Sequence, residues 1–200
     1  MKKLLLLFSV AVLFAMVASA GTVTFATTPG STLCLVAGCS GTSVTFAGGT
    51  IVSYIPAATQ SVNPDIFMPP GTTANIGSIQ VQCTAGTATS CGDSIAGLIL
   101  TIFITQTNPS NGTGTIGSNP ITGSIGYNSG NAQITWSLLS TKIGLVNYSI
   151  SNSPLNLVPV TTNNGITSIQ AFITDTPEPS SILLLSSGLV GLLVARSRRR

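Results

Sequence analysis

Few side chains in this chain of 200 residues have the chemistry of a catalyst. There is no histidine, so no imidazole is present to activate the many serines and threonines or to ligate zinc. Between the two apolar ends the acids are Asp65, Asp93 and Asp175, and the one base is Lys142. A pair of carboxylates flanking a glycosidic bond could hydrolyse it. Asp65 follows Pro64, however, and Asp93 follows Cys91-Gly92. Both are settings of loop residues, so an enzymatic pair is not expected. A lysine can also cross-link to an asparagine inside a β-domain beside a buried acid. With so few acids, Lys142 is expected to be an exposed, solubilising residue. No D-x-[DN]-x-[DN]-G calcium loop and no phosphate-cradling glycine loop occurs. These residues point to a non-catalytic protein without metal or cofactor.

The four cysteines fall in two close pairs, Cys34 with Cys39 and Cys83 with Cys91. Four cysteines allow three connectivities. Local pairing, Cys34–Cys39 and Cys83–Cys91, is favoured because each bond closes a small glycine-containing loop at low entropic cost. Free buried thiols are the next alternative. Zinc ranks last, since neither spacing is C-x-x-C. Two acceptor patterns, Asn111-Gly112-Thr113 and Asn147-Tyr148-Ser149, arise readily by chance in so polar a chain. Aromatic side chains that could form a sugar platform are Trp136, Tyr54, Tyr127 and Tyr148. Trp136 stands in an alternating apolar run, so the core is its expected place.

The net charge of +3 comes from the two ends of the chain. Gly21–Asp175 holds one cation against three anions, a net charge of −2. Without a basic patch, nucleic-acid binding has no electrostatic basis. The roughly 155 residues of this stretch suit one domain with a real core.

The spacing of apolar residues predicts strands throughout that domain. Val-Thr-Phe-Ala occurs at 23–26 and again at 44–47, which predicts two similar half-buried strands. Gly48-Gly49 predicts a hairpin over 43–55. Pro56, Pro64, Pro69 and Pro70 exclude a central strand from 56–73. Within that stretch Asp65-Ile66-Phe67-Met68 is either a loop that tucks Phe67 under the domain or a partner-binding loop, and the first is favoured. Ile79, Val81 and Cys83 alternate. Leu98–Thr107 is apolar on both faces and β-branched, the best candidate for a central strand. Residues 108–130, rich in Gly, Ser, Asn and Thr, predict a loop or two short strands around Asn119-Pro120. Ile134–Leu138, Ile143–Ile150, Leu155–Val160 and Gly165–Ile173 complete a series of short strands separated by the turn residues Asn147, Asn152-Ser153-Pro154 and Asn163-Asn164-Gly165. Regular short strands of this kind predict an all-β fold, a single antiparallel β-sandwich of jelly-roll-like type.

The ends have a different composition. Met1-Lys2-Lys3, the apolar run Leu4–Val17 and Ala18-Ser19-Ala20 have the three parts of a secretory signal peptide, cut after Ala20 to leave Gly21 first. An uncut anchor is the alternative. Export would place the cysteines in an oxidising compartment. At the other end Pro177-Glu178-Pro179 precedes an uncharged run, Ser180–Ala195, and then Arg196, Arg198, Arg199 and Arg200. Two prolines enforce an extended break. The apolar run can satisfy its backbone in lipid only as a helix, which would span about 24 Å against roughly 30 Å of hydrocarbon. Snorkelling arginines and local thinning close that difference. The arginines stop transfer and stay in the cytoplasm.

This tripartite segment, residues 176–200, resembles the PEP-CTERM sorting signal of Gram-negative bacteria. The resemblance implies that an exosortase recognises the tail and cuts near the triplet while the chain is held in the inner membrane. It is silent about the domain in front. The expected organisation is therefore a signal peptide with its helix at 1–20, a β-sandwich ectodomain at 21–175, and a sorting signal with a transmembrane helix at 176–200. The expected function is that of a non-catalytic exported surface or extracellular-matrix protein, and the resemblance implies a contribution to an extracellular polysaccharide layer. The alternative is a carbohydrate-binding module using exposed aromatics. Deep burial of Trp136 would favour the first, and its exposure beside Tyr127 the second.

Overall fold

The computed structural model describes residues 21–27, 30–35, 40–64, 71–84, 90–175 and 188. The expected signal helix, the Asp65–Met68 cluster, Cys39 and the whole of Pro177–Arg200 except Gly188 lie outside these residues. In chain order the strands are β1 Val23–Thr27, β2 Thr32–Cys34, β3 Ser43–Thr45, β4 Thr50–Pro56, β5 Gln60–Val62, β6 Thr72–Cys83, β7 Gly92–Ser94, β8 Ile99–Asn108, β9 Gly112–Ser118, β10 Ser124–Gly126, β11 Gln133–Ile134, β12 Trp136–Leu138, β13 Ser140–Ile143, β14 Val146–Ile150, β15 Leu155–Asn156 and β16 Ile166–Asp175.

Two six-stranded antiparallel sheets share one core. The first has the order β12-β9-β8-β1-β5, with β2 continuing β1 along the same edge of β8. The second has the order β13-β14-β16-β6-β4-β3. Two small sheets, β10-β7 and β11-β15, close the flanks. Period-2 alternation explains the core: Leu100, Ile102 and Ile104 of β8 are fully buried, as are Ile169, Ala171 and Ile173 of β16 and Ile79 and Val81 of β6. Burying each such large side chain contributes about 1.5–3 kcal/mol. Tyr148 is also fully buried. Its hydroxyl donates to Gln106 Oε1 at 2.7 Å, and Gln106 Nε2 donates to the Ser110 carbonyl at 2.9 Å. The pair of buried polar groups is thereby satisfied.

The predicted central strand is β8, flanked on both edges, although its outer face is only partly covered and Phe103 is 37% exposed. The predicted hairpin is β3–β4, closed where Phe46 N–H donates to the Thr50 carbonyl at 2.8 Å. Several expectations need correction. The two Val-Thr-Phe-Ala stretches are not alike: 23–26 is an inner strand and 43–45 an edge strand. The 56–73 stretch contributes a short edge strand, β5, and the start of β6, neither of which violates the prolines. Residues 112–118 form a full strand, β9, paired along β8. Its inward Gly112 and Gly114 make room for β13, since a Cβ on either would come within 2.6 Å of Ile143 and 2.5 Å of Thr141 respectively. Ile134–Leu138 is not one buried strand. It divides into β11 and β12, which pair in different sheets, and Leu138 is 46% exposed. Ile143–Ile150 is a hairpin, β13–β14, turned by Gly144 at φ +60°. Leu155–Val160 shortens to the two-residue β15.

The sandwich has two distinct ends. Ile173 of β16 faces Thr72 of β6, and Ile166 faces Gln80. Asp175 therefore lies at the Thr72 end and Cys83 at the other, a separation of roughly 35 Å at the rise of a strand. Gly21 is at the Asp175 end, where a Cβ on it would stand 3.9 Å from Asp175 Oδ2.

Candidate functional site

At the Cys83 end, the small sheet β7–β10 forms the wall of an open cleft of about 440 Å³. Its position follows from the disulfide. Cys83 ends β6 and is bonded to Cys91, with the Cα atoms 5.6 Å apart and within the ordinary range for such bonds. Cys91 leads directly into β7. The Cys91 carbonyl then accepts the Tyr127 N–H at 3.0 Å, so the turn after β10 is fastened to the disulfide. Asp93, Ser94, Ser124, Tyr127, Asn128 and Ser129 are polar residues that line the cleft.

Asp93 is the one acid of this site. Its Oδ1 accepts the Gly48 N–H at 2.7 Å and its Oδ2 the Thr50 N–H at 3.0 Å. It thereby joins the β3–β4 turn to β7. Burial pushes its carboxyl upward, but the Thr50 side chain and the Thr50 and Gly48 N–H groups outweigh burial and hold it below the usual value. The backbone donors are the firmer part of this balance, because Thr50 Oγ1 is buried without a hydrogen bond of ordinary geometry. Asp93 is therefore an ionised, acceptor-only group near neutral pH.

The other residues singled out from sequence are dispersed. Trp136 is 7% exposed and its indole N–H donates to the Asn152 carbonyl at 3.4 Å. Tyr54 is buried and donates to the Ile76 carbonyl at 2.7 Å. Tyr148 stacks edge-to-face on Phe25, with ring centroids 5.4 Å apart. Burial raises both phenols, that of Tyr148 further under the charge of Asp175. These three aromatics belong to the core. Tyr127 alone of the four is half-buried and lines the cleft. Lys142 is exposed on β13, opposite Asn147 and so near the Asp175 end. Cys34 is disulfide-bonded, and its expected partner Cys39 lies outside the described residues. Among the described residues no group of three His, Cys, Asp or Glu could hold a metal ion, and no helix is long and apolar enough to cross a membrane.

Sequence reasoning missed the cleft. Its signal is slight: an aspartate two residues beyond a cysteine, and a Tyr-Asn-Ser turn more than thirty positions later. Only the β7–β10 pairing, with Asp93 opposite Ile125, brings them together.

The PEP-CTERM protein-sorting motif family matches residues 175–200. The C-terminal segment is thus a PEP-CTERM sorting motif, and the match covers that segment alone. No curated protein and no solved structure matches the chain.

Proposed function

We propose that the chain is a non-catalytic surface or extracellular-matrix protein, exported through its N-terminal signal and sorted by an exosortase. The sorting-motif match at 175–200 carries this reading. In it, residues 1–20 are removed after Ala20, Ser180–Ala195 crosses the inner membrane, and Arg196–Arg200 hold the end in the cytoplasm. Pro177-Glu178-Pro179 offers the enzyme an extended segment just outside the lipid. The Cys83–Cys91 disulfide suits an oxidising compartment. The jelly-roll-like order stays part of the reading, supported by repeated passage of the chain between sheets: β1 and β2 in the first, β3 and β4 in the second, β5 in the first, β6 in the second. The test is to replace Pro177, Glu178 and Pro179 with alanine and follow the chain by immunoblot in hosts with and without the exosortase. Wild type should be processed only where the enzyme is present. The variant should remain full-length and membrane-held in both. Identical full-length wild type in both hosts would reduce the tail to a plain anchor.

A second reading, carbohydrate binding, is favoured by one observation. Tyr127 lines an open cleft of about 440 Å³, a size typical of ligand sites. It shifts the candidate platform from Trp136 to Tyr127.

A further inference from the structure

We infer that the cleft between β7 and the turn after β10 is a binding site for a neutral polysaccharide chain. The inference rests on the carbohydrate-binding reading and gives it a place and a ligand class. Sugar hydroxyls are at once donors and acceptors, so a site for them needs both kinds of group. Ser94 and Ser129 supply hydroxyls that do either, Ser124, whose hydroxyl donates to Asn131 Oδ1 at 3.3 Å, an acceptor, and Asn128 an amide with both. Asp93 supplies an acceptor. Each of its oxygens accepts one backbone N–H, and a carboxylate has about four lone-pair positions. With the Thr50 side chain also against the carboxylate, about one therefore remains for a ligand hydroxyl. The half-buried Tyr127 ring adds an apolar surface for the C–H face of a pyranose, with a polar tip at its edge.

The charge distribution selects the neutral class. No lysine or arginine lines the cleft. The one cation of Gly21–Asp175, Lys142, pairs across β14 with the far end of β16, next to Asp175. A uronate or sulfated chain would bring negative charge to the Asp93 carboxylate with no cation to compensate it. The cleft also lies far from both chain ends of the domain. Gly21 and Asp175, the points from which the two terminal segments depart, lie together at the opposite end of the sandwich.

The experiment uses the exported, processed protein isolated from its host. Binding of neutral gluco-, galacto- and manno-hexasaccharides and of a polyuronate hexasaccharide is measured by calorimetry, beside the melting temperature of each variant. At least one neutral hexasaccharide should bind, the polyuronate at least tenfold more weakly. Tyr127→Ala should weaken neutral binding at least tenfold, and Asn128→Ala severalfold. Because Asn128 is an exposed turn residue, its variant keeps the test valid if Tyr127→Ala lowers stability. Neutral binding unchanged in both variants would overturn the cleft while leaving carbohydrate binding elsewhere on the domain. Polyuronate binding as tight as neutral binding would overturn the ligand class. Absence of binding to every probe would overturn both the inference and the carbohydrate reading.

Discussion

Asp93 shows how one side chain can hold a site together. It accepts backbone N–H groups from Gly48 and Thr50, and hydrogen bonds to a charged group contribute about 1.5–3 kcal/mol each. Because the Gly48 contact is exposed and screened by solvent, the sum is reduced, and Asp93→Ala should destabilise the unliganded protein by about 2–4 kcal/mol near pH 7, read from urea unfolding. The sign with pH is set by its lowered carboxyl. A depressed folded value contributes stability that is present above the unfolded value and is lost as pH falls through the folded one. The gap between wild type and variant should accordingly be full at neutral pH and narrow below about pH 4, the unfolded aspartate range. A gap that is constant down to pH 2 would mean that the charge is not what matters. Gly48 tests the same contact from the other side. A Cβ there would stand 2.6 Å from Asp93 Oδ1, and Gly48→Ala should cost about 1–3 kcal/mol through that overlap.

Among the elements, β8 is the one on which the first sheet depends. It pairs with β9 on one edge and with both β1 and β2 on the other. Ile102 at its middle is fully buried. Ile102→Asp should leave no folded protein, because an unpaired charge would enter the core. Ile102→Val, which removes one methylene, should cost about 0.5–1.5 kcal/mol by thermal melting. Wild-type melting of the aspartate variant would show that β8 is not central. The Cys83–Cys91 bond joins the longest strand to the cleft wall. Replacing both cysteines with serine should cost about 2–3 kcal/mol, the chain-entropy value for so short a loop. It should also loosen the Tyr127 turn, seen as faster amide exchange at Tyr127, whose N–H is held by the Cys91 carbonyl. Unchanged protection there would place the turn's order in β10 alone.

At the scale of the molecule, the sandwich has two different ends. Gly21 and Asp175 adjoin at the first, and the cleft occupies the second. On the proposed route the signal segment is removed and the C-terminal membrane segment follows Asp175, so before processing the cleft would face away from the membrane. On that route the arginines would give the arrangement its direction, since a charge at mid-membrane costs a helix several kcal/mol. Replacing Arg196, Arg198, Arg199 and Arg200 with glutamine should release the tail from the cytoplasm. Protease added outside spheroplasts should then reach a C-terminal tag that it cannot reach in wild type. Equal protection of the two tags would show that the apolar run alone sets orientation.

The features legible in the sequence were those encoded by neighbouring residues. Alternation in Leu98–Thr107 and Gly165–Ile173 revealed β8 and β16, because a strand's two faces are written two residues apart. Gly48-Gly49 and Asn163-Asn164-Gly165 revealed turns through their own backbone freedom, and both asparagines do adopt positive φ. The sorting motif was legible for the same reason: its triplet, apolar run and arginines act as a linear segment. What the tertiary structure decided was everything set by residues distant in the chain. Gly112 and Gly114 read as loop until Ile143 and Thr141 of β13 are seen to need their space. Trp136 and Leu138 share one alternating face in sequence, yet one is buried and the other exposed, because the pairing of β12 with β9 shifts register between them. The cleft exists only because a disulfide and a two-strand pairing bring Asp93 to Tyr127. Period and turn chemistry are local properties of the backbone, whereas burial depends on which opposing surface arrives, and that is settled only when the sheets close on each other.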